Sequence, residues 1–390
     1  MSDSSIIWRD LLTKKMLICV FTGFTSGLPL FTIVSLLPAW LMDSGLELKA
    51  IALFSFIQLP YVLKFLWAPL FDGYSFSMGR RKGWLIIFQV LLLASISITG
   101  LLDPKSQIMT VAIISTAIAF FSASQDAVID AYRRELLLDN ELGLGTAIHV
   151  NAYKFSQLIP GSLALILADI FAWELVFFIT GLFMIPGIIL TILIKEPLLK
   201  VIPPKTIKEA VIEPFVEFVN RKGIKEAILV LLFIFLYKIG DSMATALATP
   251  FFMDLGFSMT EIGVIAKTVG LWASIVGGIV GGILMIKIGI NRALWIFGFM
   301  QMFATLSFAW LAISGYSPLI LGITVGLEFF AAGLGTTAFL AYIAKTTNPK
   351  FTATQFALFT GLSAVPRTIT NASTGYLVEF FGWYNFFIFC

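Results

Sequence analysis

Two carboxylates inside a largely apolar stretch are the residues whose chemistry most needs an explanation. Asp126 and Asp130 follow the apolar run 111–121 and lie four positions apart, so a helix places both on one face, with Gln125 beside them. A carboxylate in hydrocarbon costs about 2.5–3.5 kcal/mol on insertion scales, so each needs a cation, water or a functional role. The pattern is typical of an ion-pair or proton-binding site inside a membrane.

The composition indicates which class of protein carries these acids. Of the 390 residues, 58% are hydrophobic and only 13% are charged, which excludes an ordinary soluble protein and predicts an all-α polytopic membrane protein. The first apolar run, 16–42, is too long for a signal-peptide core, so we expect it to remain as the first span. The lipid bilayer is the expected partner, and the small net charge of +3 gives no reason to expect nucleic acid.

Runs of about twenty apolar residues predict the membrane spans. The predicted spans are roughly 16–42, 48–72, 83–102, 107–133, 146–169, 173–195, 226–253, 260–287, 292–313, 317–344 and 352–380. A twelfth begins near Trp383 and is still incomplete at Cys390, so we expect a chain truncated within that helix. Most of the 26 lysines and arginines fall in alternate loops, and only Lys49 and Lys105 fall in the others. The asymmetry predicts a cytoplasmic N-terminus.

Landmarks repeat along the chain at a constant offset of 210 positions, as Gly79 with Gly289 and Trp173 with Trp383. A register shared by separate regions indicates duplication of a six-helix unit. Two parallel repeats joined by a linker are the architecture of major facilitator transporters. The predicted domains are a six-helix bundle at 1–195, a cytoplasmic linker at 196–225 and a second bundle at 226–390. Within the linker, helical spacing of apolar residues predicts an amphipathic helix along the membrane surface, with Ile207, Val211, Phe215 and Phe218 on its apolar face.

The charged residues inside predicted spans form two groups by depth. Such charges must face water or one another, because leaving them uncompensated in lipid would exceed a folded domain's net stability. The group near the cytoplasmic side is expected to couple protons and consists of Lys64, Asp126, Asp130 and Lys154. The group nearer the membrane centre, with two glutamines, is expected to bind substrate and consists of Gln125, Lys238, Asp241, Glu328, Gln355 and Arg367.

Structural roles remain open for several of these residues. Lys64 could simply neutralise one aspartate, and Lys238 could pair with Asp241 along one helix. Lys267 is expected to extend its amine to the membrane surface. His149, the single histidine, is expected to be a surface residue at the start of span 5.

The loop between spans 2 and 3 has an acid at a helix end followed by a basic turn. This arrangement resembles the loop motif of the facilitator transporters, and the resemblance implies a cytoplasmic gating loop, although a simple positive-inside anchor would also fit. The gating residues are Asp72, Gly79, Arg80, Arg81 and Lys82. In span 1, Gly23 and Gly27 should permit close helix packing, and Pro29 a bend.

Four stretches resemble the AmpG-type muropeptide permeases. They are 23–30, 67–74 with 79–84, 124–132, and 353–358 with 363–367, and the stretch that contains Asp126 and Asp130 is the most specific. The resemblance runs from span 1 to span 11. It implies a proton-driven importer of disaccharide anhydromuropeptides in the bacterial inner membrane, with protons and a small-molecule substrate as partners, and we expect a monomer.

Other functions remain open. The acetyl-coenzyme A carriers share a similar span 4 pattern, but such an anion should require a denser arginine cluster than the single Arg367. A paralogue that senses or scaffolds could dispense with the buried acids, which this chain keeps. No nucleotide-binding loop, metal-ligand spacing or nucleophile motif is present, so we expect neither an enzyme nor a cofactor or metal.

Overall fold

The computed structural model describes residues 13–46, 54–197, 207–258 and 261–390, and within these ranges the chain is helical without a β-strand. The expected all-α fold is therefore confirmed. In chain order the helices are α1 (Lys14–Asp43), α2 (54–73, in short pieces), α3 (Lys82–Thr99), α4 (Ile108–Leu136), α5 (142–168), α6 (Trp173–Leu193), α7 (Ile207–Lys222), α8 (Ile224–Asp254), α9 (Ile262–Ile288), α10 (Ile290–Ser314), α11 (Pro318–Thr346) and α12 (Thr352–Phe389). The segment α12 consists of two helical pieces that meet at Gly382, whose φ of 71° is not helical. Within the described ranges, eight helices are long and apolar enough to cross a membrane, namely all except α2, α5, α7 and α12.

Two predicted spans are interrupted helices, and proline is present at both interruptions. In α2, Pro60 and Pro69 each lie in the first turn of a short α-helical piece, and the 3₁₀ turn Lys64–Leu66 separates the two pieces. In α5, Pro160 lies in the π-helical segment Ile159–Leu163. Proline lacks the amide hydrogen that an interior helical position requires, so the helix changes its hydrogen-bonding pattern there.

Glycines let α1 approach α5 closely, as the sequence predicts. A β-carbon on Gly23 would overlap the His149 carbonyl oxygen, and one on Gly27 would overlap the Ser156 hydroxyl. His149 is therefore not a surface residue, and the expectation is wrong: its ring is buried and its Nδ1 lies 3.4 Å from the Thr22 hydroxyl. His149 is buried because Gly23, which has no side chain, lets α1 pack directly against the start of α5.

The linker contains the predicted helix. In α7, Ala210 and Pro214 are buried, whereas Val211 and Phe215 are exposed. Phe218 packs against Phe359 with ring centroids 5.1 Å apart. The helix thus rests on the protein through Ala210, Pro214 and Phe218, and Val211 and Phe215 face outward. That α7 lies along a membrane surface remains a prediction.

The chain divides into two compact units. The first comprises Met1–Leu138, Ile148–Arg221 and Thr347–Gly361, and the second Asp139–Ala147, Lys222–Thr346 and Leu362–Cys390. The first unit has an apolar core around Trp40 and Phe177, and the second has a phenylalanine-rich core around Phe251, Phe308 and Phe387. The domain boundaries expected from the sequence remain a prediction.

A matched hydrogen bond occurs once in each unit. In the first, the Trp173 indole nitrogen donates to the Asp43 carboxylate at 2.8 Å, and in the second, that of Trp383 donates to Asp254 at 2.7 Å. Trp173 and Trp383 are the pair that the 210-residue offset relates. The duplicated tryptophan thus has the same partner type at the end of a long helix in both units.

Candidate functional site

The acid pair on α4 is positioned by α1. Asp126 Oδ1 accepts a hydrogen bond from the Ser26 hydroxyl at 2.6 Å, and the Gln125 amide nitrogen donates to the Thr25 carbonyl at 2.9 Å. Gln125 is fully buried, and its Oε1 has no hydrogen-bond partner in the described part of the chain. Sequence reasoning missed Ser26, although a small polar residue between two glycines of span 1 was the available signal.

Asp126 and Asp130 have different cationic side chains as neighbours. Asp130 pairs with Arg133, one turn along the same helix, at 2.8 Å. Lys64, buried on α2, interacts electrostatically with Asp126 and Asp130, but no ion pair within 4.0 Å joins it to either among the described residues. Lys154 lies half-buried on α5 in the same unit.

The chemistry available to Asp126 follows from these contacts. Its carboxylate is held by a neutral hydroxyl, with a lysine amine nearby but not in direct contact. The phenol of Tyr61 on α2 also lies near Asp126. A carboxylate in such surroundings can gain or lose a proton without first breaking a salt bridge, because its direct donor is uncharged.

The predicted binding residues on α8 form an ion pair at a cavity. Lys238 Nζ lies 2.6 Å from Asp241 Oδ2, three residues further along. A cavity of about 550 Å³ in the second unit opens beside this pair. Its other lining residues are Ser242, Thr245, Ala246, Thr336, Phe339, Leu340 and Ser363. Hydroxyls, one cation, one anion and an aromatic face are groups that a polar, partly charged ligand needs.

Glu328 on α11 is fully buried beside the same ion pair. Its carboxylate accepts a hydrogen bond from the Thr305 hydroxyl of α10 at 3.2 Å and lies against the carboxyl group of Asp241. The structure therefore brings together three residues that the sequence separates by up to ninety positions. Arg367 lies within α12, but its side chain is outside the described residues, as is that of Lys267 on α9.

The predicted gating loop forms a buried ion-pair cluster. Asp72 Oδ1 lies 3.0 Å from Arg80 and 2.8 Å from Arg81. The Arg81 guanidinium also binds Glu135 at the end of α4 at 2.5 Å and donates to the Phe71 carbonyl at 2.7 Å. Both members of the Arg81–Glu135 pair are fully buried, so the charges are compensated by one another and not by water.

The first residues of α12 complete this cluster. The Thr352 hydroxyl lies within hydrogen-bonding distance of both Arg81 and Glu135, at 2.7 and 2.5 Å. The Thr354 amide and hydroxyl both donate to Asp72 Oδ2, at 2.8 and 2.7 Å. Sequence analysis missed Glu135 and both threonines, since nothing local links them to a loop more than fifty residues away.

Gly79 and Lys82 lie at the edge of the cluster. Gly79 has a positive φ of 123° and lies so close to Glu196 that a side chain would overlap its carboxylate. That carboxylate accepts hydrogen bonds from the backbone amides of Arg81 and Lys82, at 2.7 and 3.2 Å, and so satisfies free donors at the start of α3. The Lys82 amine donates to the Ile192 carbonyl at 2.8 Å.

Gln355 is held by the linker helix, and its role as a substrate ligand stays a prediction. Its amide nitrogen donates to the Pro214 carbonyl at 2.9 Å and to Glu217 at 2.8 Å, both on α7. Its oxygen accepts from the Asn348 amide at 2.7 Å. With both amide atoms engaged, Gln355 docks the linker helix.

The comparisons with known proteins agree with this architecture. The model of the Major Facilitator Superfamily matches residues 19–371. The chain is 42% identical to the anhydromuropeptide permease of Escherichia coli strain K12 across 99% of this chain and 79% of the relative. It is also 35% identical to putative transporter AmpG 4 of Rickettsia felis, and the alignment covers 94% of this chain and 91% of that relative.

Solved structures show the same fold. The transporter FucP, crystallised in an outward conformation, aligns with this chain with a TM-score of 0.73 at 12% sequence identity. The alignment covers 97% of this chain and 95% of the FucP chain. Eight long apolar helices, the match over most of the chain and these relatives lead to one assignment: the chain is a multi-pass membrane protein of the major facilitator superfamily and belongs to its AmpG-type permeases.

Proposed function

We propose that this protein imports anhydromuropeptides across the bacterial inner membrane together with protons. The observation that carries the proposal is the pair of polar sites on α4 and α8 in a chain 42% identical to an anhydromuropeptide permease. One site holds a carboxylate without a direct cation, and the other holds an ion pair at a hydroxyl-lined cavity. A symporter needs both kinds of site.

In this proposal Asp126 carries the transported proton. Its direct donor is the Ser26 hydroxyl, so the carboxylate can be neutralised without displacing a bound cation. Lys64 and Lys154 supply positive charge from α2 and α5, and Asp130 is held by Arg133. Protonation of Asp126 changes the charge balance at Lys64, which lets α2 and α4 rearrange.

The substrate site is formed by Lys238 and Asp241, with Arg367 as a further proposed ligand. A muropeptide presents peptide carboxylates, amides and sugar hydroxyls. The Lys238 amine suits a carboxylate, the hydroxyls of the cavity suit sugar and amide groups, and the Phe339 ring suits the apolar face of a sugar.

The buried cluster around Asp72 acts as the cytoplasmic gate. Opening the gate must separate Arg81 from Asp72 and Glu135 and free the threonines that start α12. In the proposed topology, two six-helix halves at 1–195 and 226–390 flank a linker, the N-terminus is cytoplasmic, and one chain is the transporting unit.

Uptake of labelled anhydromuropeptide into cells that lack their own permease tests this function. We expect accumulation that a protonophore abolishes. No uptake would overturn the substrate assignment, and uptake indifferent to the protonophore would overturn proton coupling. Competition by acetyl-coenzyme A, or its uptake in place of muropeptide, would favour an organic-anion transporter.

A further inference from the structure

Two carboxyl groups, one half-buried and one fully buried, share a single lysine beside the cavity of the second unit. Lys238 Nζ pairs with Asp241 Oδ2 at 2.6 Å. Asp241 Oδ1 is buried and has no hydrogen-bond partner among the described residues. Glu328 lies against Asp241 and receives one hydroxyl donor, from Thr305.

The charges of these three residues do not balance when both acids are ionised. Lys238 compensates one carboxylate, and a second anion would remain in a fully buried position with a single weak donor. Like-charged carboxyl groups that share a buried site do not both ionise readily, and one retains a proton. A proton on Glu328 would also provide the donor that Asp241 Oδ1 lacks.

The surroundings offer no further positive charge in the described residues. The groups that face the pair are Tyr237 on α8, Thr305 on α10 and the thiol of Cys390 at the end of α12, all neutral in their ordinary forms. Among the described side chains, the charge of the pair is therefore set by Lys238 and by bound protons.

We propose that Asp241 and Glu328 together bind one proton, and that a carboxylate of the substrate and this proton bind cooperatively through competition for Lys238. A substrate carboxylate that takes the Lys238 amine removes the cation from Asp241. The acid pair is then left without compensation and holds its one proton more tightly, so it stays protonated to a higher pH. Because linkage is reciprocal, the bound proton in turn frees Lys238 for the anion. This inference rests on the proposed function for its substrate but not for its proton.

The first test needs no substrate. Infrared difference spectra of the purified, ligand-free full chain at neutral pH, parent minus Glu328→Gln, should show the carbonyl band of a protonated carboxyl group, and the band should disappear at alkaline pH. Asp241→Asn should also lose the band, because Glu328 can then ionise beside Lys238. Asp254→Asn, an exposed acid on the same helix, is the matched control and should keep it. A spectrum without the band in the parent, or unchanged in Glu328→Gln, overturns the inference.

The second test measures linkage. The disaccharide tripeptide anhydromuropeptide is added to the protein in weakly buffered solution at the alkaline pH at which the infrared band of the ligand-free protein has disappeared, and proton uptake is recorded per ligand bound. We expect about one proton in the parent and in Asp254→Asn, and close to none in Glu328→Gln, with ligand still bound. Equal uptake in Glu328→Gln contradicts the inference. Absence of binding in a parent that shows the infrared band overturns the muropeptide function and leaves the protonation site standing.

Discussion

The Asp72 carboxylate binds the Arg81 guanidinium at 2.8 Å through one oxygen, and its other oxygen accepts a hydrogen bond from the Thr354 hydroxyl at 2.7 Å. One acid at the end of α2 therefore joins the loop before α3 to the start of α12. All of these groups are buried, so the connection is made without water. This contact is the best place to test the gate.

We expect Asp72→Asn to loosen the start of α12. Removing one partner of a buried ion pair costs about 3–5 kcal/mol, because the remaining charge stays uncompensated. Hydrogen exchange of 350–356 should rise by at least tenfold, and uptake should fall. Asp103→Asn, an exposed loop acid, is the control and should change neither. Unaltered exchange in Asp72→Asn would mean that the cluster does not hold α12.

The contact between Ser26 and Asp126 predicts that substitutions of the two residues reduce substrate accumulation to different extents. Asp126→Asn should insert normally but lose proton-driven accumulation, because an amide cannot carry the proton. Ser26→Ala should retain accumulation at a rate reduced about threefold to tenfold, since it removes one hydrogen bond worth roughly 0.5–1.5 kcal/mol. Ser115→Ala removes another buried hydroxyl of α4 and should match the parent. If Asp126→Asn accumulates substrate normally, the acid is structural.

Because α1 lies so close to α5, adding a single methyl group at their contact should lower the stability of the protein. Gly23→Ala places a β-carbon against the His149 carbonyl, so we expect destabilisation of about 1–3 kcal/mol and a lower melting temperature in detergent. Gly375→Ala on α12 meets no atom within 4 Å and should be neutral or slightly stabilising. A normal melting temperature for Gly23→Ala would show that α1 can move away without cost.

Docking of α7 should depend on pH through Glu217. Burial alone would raise the pKa of this carboxyl, but hydrogen bonds from Arg221, Gln355 and Asn348 outweigh it and lower the pKa below its ordinary value of 4.5. A group with a lowered pKa stabilises the docked state above its ordinary pKa, and this contribution is lost as the pH falls through the lowered value.

Protection of the amides of 207–222 from hydrogen exchange, corrected for the intrinsic pH dependence of exchange, should accordingly be high at neutral pH and fall under acid conditions below the usual range of glutamate. Glu217→Gln should exchange faster already at neutral pH and lose most of this acid dependence. Glu226→Gln, an acid in the first turn of α8, is the control. An acid response that persists unchanged in Glu217→Gln would assign it to another group.

Much of the architecture follows from local sequence pattern. Hydropathy and spacing predict the helices, the acids inside α4 and the glycines of α1, because each depends on residues within a few turns of one another. The resemblance around Asp126 and Asp130 also indicates the family, which the comparisons confirm.

The pairing of side chains from distant helices was decided only by tertiary structure. No local signal places Ser26 on Asp126, Thr354 on Asp72 or Glu328 on Asp241, because these residues meet through helix packing across long stretches of chain. The same reason explains the wrong expectation that His149 lies on the surface. Periodicity gives the face of a helix on which a residue lies, and packing alone determines what that face contacts.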